Sequence, residues 1–312
     1  MQSGIPLAQG LGAAPAENQV TSGPASEEWV PAASGTEREL AGFLRVLDVE
    51  GGQVGRHADA FDRLRSGELQ AIVVHDVYRA DVLLACVARL ERHDPPFLKT
   101  WFPRAFHAWF YGSNVNLADA ALSGYFEEAA RFNDQLETLW PPGLGLAQQV
   151  GALLSALDGG RPFMAAPGLR DGERYMFTTL RAHVEAGYLP AHFDNEMRLR
   201  PSYRHLANLV EPHILSFVLA LTRSDSGGAL EVFDLCCDPD DAHLLNDDGV
   251  TVKPDTSVLR SARFRLPPGS LIVLDSGRYL HRVTRVGGAH TRWTACSFMA
   301  RSRSHDVTYC WG

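Results

Sequence analysis

His192 and Asp194, in the stretch LPAHFDNE at 189–196, stand two positions apart. An imidazole and a carboxylate at that spacing share one face of an extended strand. Together they suit a divalent iron ion. The spacing alone is weak evidence. With 12 histidines and 37 acidic residues among 312, roughly one or two such pairs arise by chance, and three occur. His57/Asp59 lies in RHADAFDRLR, which reads as helix, so the two side chains point to different faces and are expected to be solvated. His183/Glu185 lies in an alternating stretch with Arg181 on the same face, which is either a solvent side or a polar pocket. His192/Asp194 follows AGYLPA, where glycine and proline close one strand and open another.

Two donors are not a site. A third ligand is needed, with positions left for substrate and oxygen. The stretch LPPGSLIVLDSGRYLHRVTRVGGAHTRWTACSFMARS holds a turn, an apolar strand and then His281. After a second turn, Arg292 stands on the following strand. An imidazole on one strand and a guanidinium on the next suit a dicarboxylate bound beside a metal. One end of the acid chelates the ion, and the far carboxylate takes a two-pronged, charge-assisted partner.

The elements that must position these residues fall into two halves. Residues 1–35, rich in Gly, Ala, Pro, Ser and Gln, read as a flexible N-terminal tail. Residues 36–160 read as mainly helical support. Thr36 and Glu39 in TERELAGFLRVLD have capping-box spacing, and RADVLLACVARLERH, LADAALSGYFEEAARFNDQLETLW and GLAQQVGALLSALDGG carry helical patterns. AIVVHDV reads as a short strand. From about 170 to 305, short alternating strands such as HILSFVLALT and GALEVFDL are punctuated by Gly, Pro, Asp and Ser, which points to a sandwich or jelly roll. CDPDDAHLLNDDGVTVKPDTS reads as a polar surface excursion. The segment FLKTWFPRAFHAWFYGSN is crowded with aromatics, Trp101 and Trp109 among them. It is either a connection packed on the core or a wall over a substrate.

Composition narrows the function classes. No apolar run approaches the roughly 18 residues needed to cross a bilayer, and no basic flank precedes an apolar core at the N-terminus. No membrane role is expected. A net charge of -8 without a basic run argues against nucleic acid as the partner. Five cysteines with no C-x-x-C fit reduced thiols in cytoplasm.

In order, His192-x-Asp194, His281 and Arg292 resemble the iron(II)/2-oxoglutarate-dependent dioxygenases, prolyl-4-hydroxylase-like branch. LRAHVEAGYLPAHFDN is similar to that branch's strand-turn-strand around the first histidine. LSFVLALTRSDSGGALEVFD is similar to its hairpin ending in a double glycine, and PPGSLIVLDSGRYLHRVTRV to its strand leading to the second histidine. The likeness covers about residues 172 to 300.

The resemblance implies a mainly β fold with α, a double-stranded β-helix (jelly-roll) core on an N-terminal helical support, in one catalytic domain over 36–312. It implies iron(II) held by His192, Asp194 and His281, with 2-oxoglutarate and dioxygen as cosubstrates. Arg292 falls on the residue that holds the distal carboxylate of 2-oxoglutarate, and Thr294 on a hydroxyl residue that helps it. His183 departs from a frequent tyrosine, and Arg285 stands where proline is common. The implied activity is hydroxylation of a small amino acid or amino-acid-derived metabolite, with desaturation or ring closure as alternatives. Substrate contacts are expected from Arg181, His183, Trp101 and Trp109. Related halogenases carry glycine or alanine where this chain has Asp194, so hydroxylation is expected rather than halogenation. A jelly roll that binds a metal or small acid without turnover is the rival reading. It would not need an open iron position and Arg292 together.

Overall fold

The computed structural model describes residues 26–195, 197, 200–237, 244–245, 252–253 and 255–312. Two sheets face each other, as in a double-stranded β-helix. The smaller is built, edge to edge, from Ser26–Glu28 (β1), Ser261–Phe264 (β13), Leu230–Cys236 (β12), Tyr279–Val283 (β15) and Leu189–His192 (β9). The larger begins with Thr36–Leu40 (β2), Leu44–Glu50 (β3), Ala71–His75 (β4) and Leu271–Leu274 (β14). It continues through Leu215–Ala220 (β10), Arg292–Arg301 (β17), Thr179–His183 (β8), Ala108–Tyr111 (β6) and Lys99–Trp101 (β5). Thr308–Trp311 (β18) pairs with β17 and with Phe163–Ala165 (β7). A two-residue pair, Ser226–Gly227 (β11) and Val286–Gly287 (β16), closes one end.

Strand alternation gives the larger sheet two different faces. Ile72, Val74, Phe217, Leu219, Leu271 and Val273 pack into the core on the helical side. That side is covered by Ala60–Ser66 (α1), Ala80–Glu91 (α2), Tyr125–Leu139 (α3) and Leu146–Leu157 (α4), while Arg204–Leu209 (α5) adds a short turn. The intervening residues Ala71, Val73, Ala220, Ile272 and Leu274 meet Val232, Ala262 and Phe264 of the smaller sheet. The jelly roll is therefore three layers, and the space between the sheets is where side chains of both can converge.

Several expectations need correction. TERELAGFLRVLD is a hairpin, β2 to β3, and not a capped helix. Its three-residue connection, Ala41-Gly42-Phe43, has positive φ at Ala41 and Gly42, as tight turns between antiparallel strands require. Leu40, Leu44, Val46 and Leu47 bury against both faces, which a solvent-side helix would not allow. The first half is thus sheet as well as helix. LADAALSGYFEEAARFNDQLETLW becomes helical only at Tyr125, after Gly124 turns with φ 72°. The sheet core also runs past residue 305, because β18 pairs along β17.

The tail reading fails for residues 26–35. β1 pairs in parallel with β13, and Trp29 is buried. Its ring stacks on His75 at 5.7 Å and packs on Phe264 at 5.9 Å. Residues 1–25 and most of the excursion 237–257 lie outside the described residues. Among the described residues, no helix is long and apolar enough to cross a membrane.

Trp29→Ala should lower the unfolding free energy by about 3 kcal/mol, the usual cost of emptying a buried indole site. Urea denaturation reads this directly. A change under about 0.5 kcal/mol, typical of a surface substitution, would return the segment to the tail.

Candidate active site

The first histidine and the second are cross-strand partners. β9 pairs antiparallel with β15, and His192 lies opposite His281. Their ring centroids are 4.4 Å apart. The chain leaves β9 at Phe193, and the backbone N–H of Asp194 donates to the Ser276 carbonyl at 3.0 Å. This anchor turns the Asp194 carboxylate back toward both rings. Its Oδ1 lies 3.4 Å from His192 Nε2 and its Oδ2 3.5 Å from His281 Nε2. Donor atoms of all three residues fall within 4.8 Å of one another.

The outer nitrogens fix the tautomer. His192 Nδ1 contacts the Pro190 carbonyl at 2.8 Å, and His281 Nδ1 contacts the Tyr279 carbonyl at 3.0 Å. A carbonyl only accepts, so each Nδ1 carries a proton and Nε2 is the atom left to ligate a metal. Ligands about 2.1 Å from a first-row ion sit about 3 Å apart at neighbouring octahedral corners. Slight contraction around an ion brings this set to that spacing, so the donors fit iron(II). Burial opposes the charge on Asp194, but the two imidazoles outweigh it and hold its carboxyl far below the usual range.

Behind the triad lies an inner recess between the sheets. Arg181, His183, Arg292 and Thr294 line it with His192, Asp194 and His281. β8 and β17 bring them together in register: Arg292 opposite His183 and Thr294 opposite Arg181. Arg292 is buried and makes no ion pair among the described residues. Burial and the like charge of Arg181 depress its pKa, while the Cys296 sulfur acts the other way. The double glycine makes room for it. Gly228 has φ 63°, and a Cβ there would lie 2.9 Å from Arg292 Cδ. A Cβ on Gly227 would collide with the Arg285 carbonyl. Thr294 is buried beside Cys296, whose Sγ lies 3.4 Å from its hydroxyl.

His183 is the departure that matters. It is buried, and neither ring nitrogen has a hydrogen-bond partner among the described residues. Burial, then Arg292 and Arg181, hold its pKa well below the usual histidine value. Of the two readings of its strand face, the polar pocket holds, and Glu185 lies beyond the end of β8. Arg285 is a surface residue, with its guanidinium 4.9 Å over the Tyr188 ring.

An outer chamber of about 310 Å³ opens in front of the triad. Trp101, Phe102, Phe106, Phe110 and Phe298 line it, with Arg181, Arg200, His192 and Asp194. Trp109 does not. Along β6, Ala108 and Phe110 point one way and Trp109 and Tyr111 the other. Trp109 borders a separate cleft with Lys99, whose ammonium lies 3.9 Å from its ring centroid, and packs edge-on against Trp293. Trp101 is 61% exposed and stands at the chamber's rim. Within the aromatic segment, Phe102, Phe106 and Phe110 supply the wall beside Trp101, and the lining residues missed from sequence are Arg200 and Phe298. The alternation of AWFY, read as a strand, carries the signal that separates Phe110 from Trp109.

Residues 43–312 match the family model described as carrier-protein-independent halogenase WelO5. The chain belongs to this family. It is thereby a member of the iron(II)/2-oxoglutarate oxygenases, with iron(II) as cofactor and 2-oxoglutarate and dioxygen as cosubstrates. Among solved structures, an N-substituted L-amino acid dioxygenase from Burkholderia ambifaria AMMD in complex with alpha-KG is similar at 16% identity. That match has a TM-score of 0.53 and covers 82% of this chain and 91% of that one. A second structure of this dioxygenase gives 20% identity and a TM-score of 0.52 over the same shares. A Pseudomonas putida prolyl-4-hydroxylase aligns more loosely, at 15% identity and a TM-score of 0.41, over 78% of this chain and 96% of that one. The two dioxygenase likenesses show the jelly-roll fold. No match was found among curated proteins.

The depressed pKa of His183 makes stability depend on pH. Below the unfolded histidine value, about 6.5, the unfolded chain takes a proton that the folded chain refuses. Stability is therefore lost as pH falls from about 6.5, by up to about 1.4 kcal/mol per unit. Urea denaturation of metal-free protein between pH 5 and 7.5 should show this decline, and His183→Leu should flatten it. Equal slopes in the two proteins would mean that His183 is protonated in the folded state.

Proposed function

We propose that His192, Asp194 and His281 hold iron(II) and that Arg292 and Thr294 hold the distal carboxylate of 2-oxoglutarate. On this reading the enzyme hydroxylates an unactivated C–H bond of a small amino acid or amino-acid-derived metabolite. Asp194 is the observation that carries it. Its carboxylate stays charged and faces both Nε2 atoms. It therefore takes one coordination position and supplies a negative charge there. A halide would need that same position, and two anions cannot share it. The family's description names a halogenase, but the donor set of this chain supports oxygen transfer.

Bound iron(II) supplies the dioxygen activation that couples decarboxylation of 2-oxoglutarate to oxidation of the substrate. The chain's own residues do the rest. The carbonyls of Pro190 and Tyr279 hold the imidazoles in the ligating tautomer. Arg292 sets the depth at which the dicarboxylate lies, with Thr294 beside it as a hydroxyl donor. Neutral His183 adds a donor without adding charge. Leu189, Val283 and Phe298 keep water from the inner recess. The phenylalanines of the outer chamber hold the substrate's apolar body.

Arg292→Ala should remove the partner of the distal carboxylate. Breaking a buried charge pair costs about 3–5 kcal/mol, which is about 150- to several-thousand-fold in affinity. An anaerobic titration of the iron-loaded protein with 2-oxoglutarate reads it. A change under tenfold would move the role to Arg181.

The halide question is settled by product mass. With its substrate in high chloride and bromide, the unmodified enzyme should give a product heavier by one oxygen and free of halogen. Asp194→Gly should lose most of the hydroxylation. A halogenated product from the unmodified enzyme would overturn the reading.

A further inference from the structure

Arg181 is the charged group that the cofactor chemistry leaves over. It lines both the inner recess and the outer chamber, at the wall they share. Its Nε donates to the Thr179 hydroxyl at 3.2 Å, and its guanidinium lies 5.9 Å over the Phe298 ring. These contacts fix the plane of the guanidinium and leave its two terminal nitrogens without a hydrogen bond among the described residues. Several part-buried arginines elsewhere have carboxylates, while Arg265 rests on the Ser224 and Asp225 carbonyls. Arg65 and Arg161 share Asp158, Arg278 takes Asp275, and Arg282 takes Glu231. Arg181 and Arg292 have none, and both face the cavity.

Charge balance separates their roles. Iron(II), Asp194, Arg292 and the dianion of 2-oxoglutarate sum to zero. The outer chamber has Asp194 as its one acidic residue among those described, and the metal takes that carboxylate. Arg181 therefore stands at the wall shared by both spaces as a cation with no carboxylate partner among the described residues, with Arg200 the chamber's other arginine. A guanidinium fork with both ends open matches a planar carboxylate. Around it, Phe102, Phe106, Phe110 and Phe298 offer ring faces to an apolar body. The volume, about 310 Å³, is that of a small ligand site.

We infer that Arg181 is the substrate's anion anchor, and that the substrate is a free carboxylic acid with an apolar, ring-sized body. The carboxylate pairs with Arg181, and the body lies against the phenylalanine wall, which presents a C–H bond to the metal position. A substrate esterified or thioester-linked through that carboxyl lacks the anion and should bind poorly. This deepens the proposed function and rests on it for taking the outer chamber as the substrate chamber.

The test uses binding, so it does not depend on turnover. Arylalkanoic acids from benzoate to 5-phenylpentanoate, each beside its primary amide, are titrated anaerobically into iron- and 2-oxoglutarate-loaded protein by calorimetry. At least one acid should bind ten or more times tighter than its amide. Arg181→Gln should erase that preference while 2-oxoglutarate affinity shifts less than threefold. Arg181→Lys, which keeps the charge and loses the fork, should retain part of it. Circular dichroism checks the fold of both variants. Acids that bind no better than their amides, or do not bind, would overturn the inference. So would an Arg181→Gln variant that keeps the preference or loses 2-oxoglutarate instead. Succinate release by the unmodified enzyme is followed separately: its absence would sink the functional reading while the acid preference still judged Arg181.

Discussion

Two imidazole Nε2 atoms and a carboxylate, brought within 4.8 Å of one another between two sheets, make a donor set that a cation completes. Much of the architecture maintains that arrangement. The β9–β15 register places the rings opposite each other. Backbone carbonyls two residues upstream of each histidine hold the outer nitrogens, so neither ring can turn its lone pair away. One main-chain hydrogen bond to Ser276 directs the third donor inward. Metal and proton are rivals for the same ring nitrogens, as at any histidine site.

The cationic side of the cavity obeys the complementary constraint. Burying a guanidinium without a partner costs several kcal/mol. The fold nevertheless commits Gly228, with its positive φ, to clearing space for Arg292. His183, next to it across the strands, stays neutral because two guanidiniums and burial leave no room for a third positive charge. Its ring N–H, without a partner among the described residues, is a further desolvation cost that an anionic ligand would offset. Such uncompensated groups gather where a ligand is meant to complete them.

How much of this was legible in the sequence follows the range of the interactions involved. His192, Asp194, His281 and Arg292 stand on strands with clear alternation and clear turns, and the structure brings them to one cavity. TERELAGFLRVLD misled because the Thr36/Glu39 spacing is a local signal. The hairpin is chosen by burial of Leu40, Leu44 and Val46 between layers that local sequence does not reveal. Trp29 was hidden for a similar reason: one indole in a Gly-, Ala- and Pro-rich stretch has no period, and its partners His75 and Phe264 are far along the chain. In the aromatic segment, density drew notice to Trp109, whereas strand direction decides the face. A tryptophan stabilises the outer side there, and Phe110, one residue on, lines the chamber.

The family's description and the Asp194 carboxylate point to different reactions, and their physical scales differ. Likeness over residues 43–312 is carried by hundreds of packing choices that specify sheets, helices and the cavity between them. The reaction outcome is set where one side chain meets the metal. Replacing a carboxylate with hydrogen there would leave the strand pairing of β9 almost untouched, because Asp194 lies past the strand's end and is held by its backbone. It would nevertheless exchange a fixed protein anion for whatever anion solution provides. A family can therefore hold one fold and divide its chemistry at a single position, and on the proposed reading Asp194 fills that position in this chain.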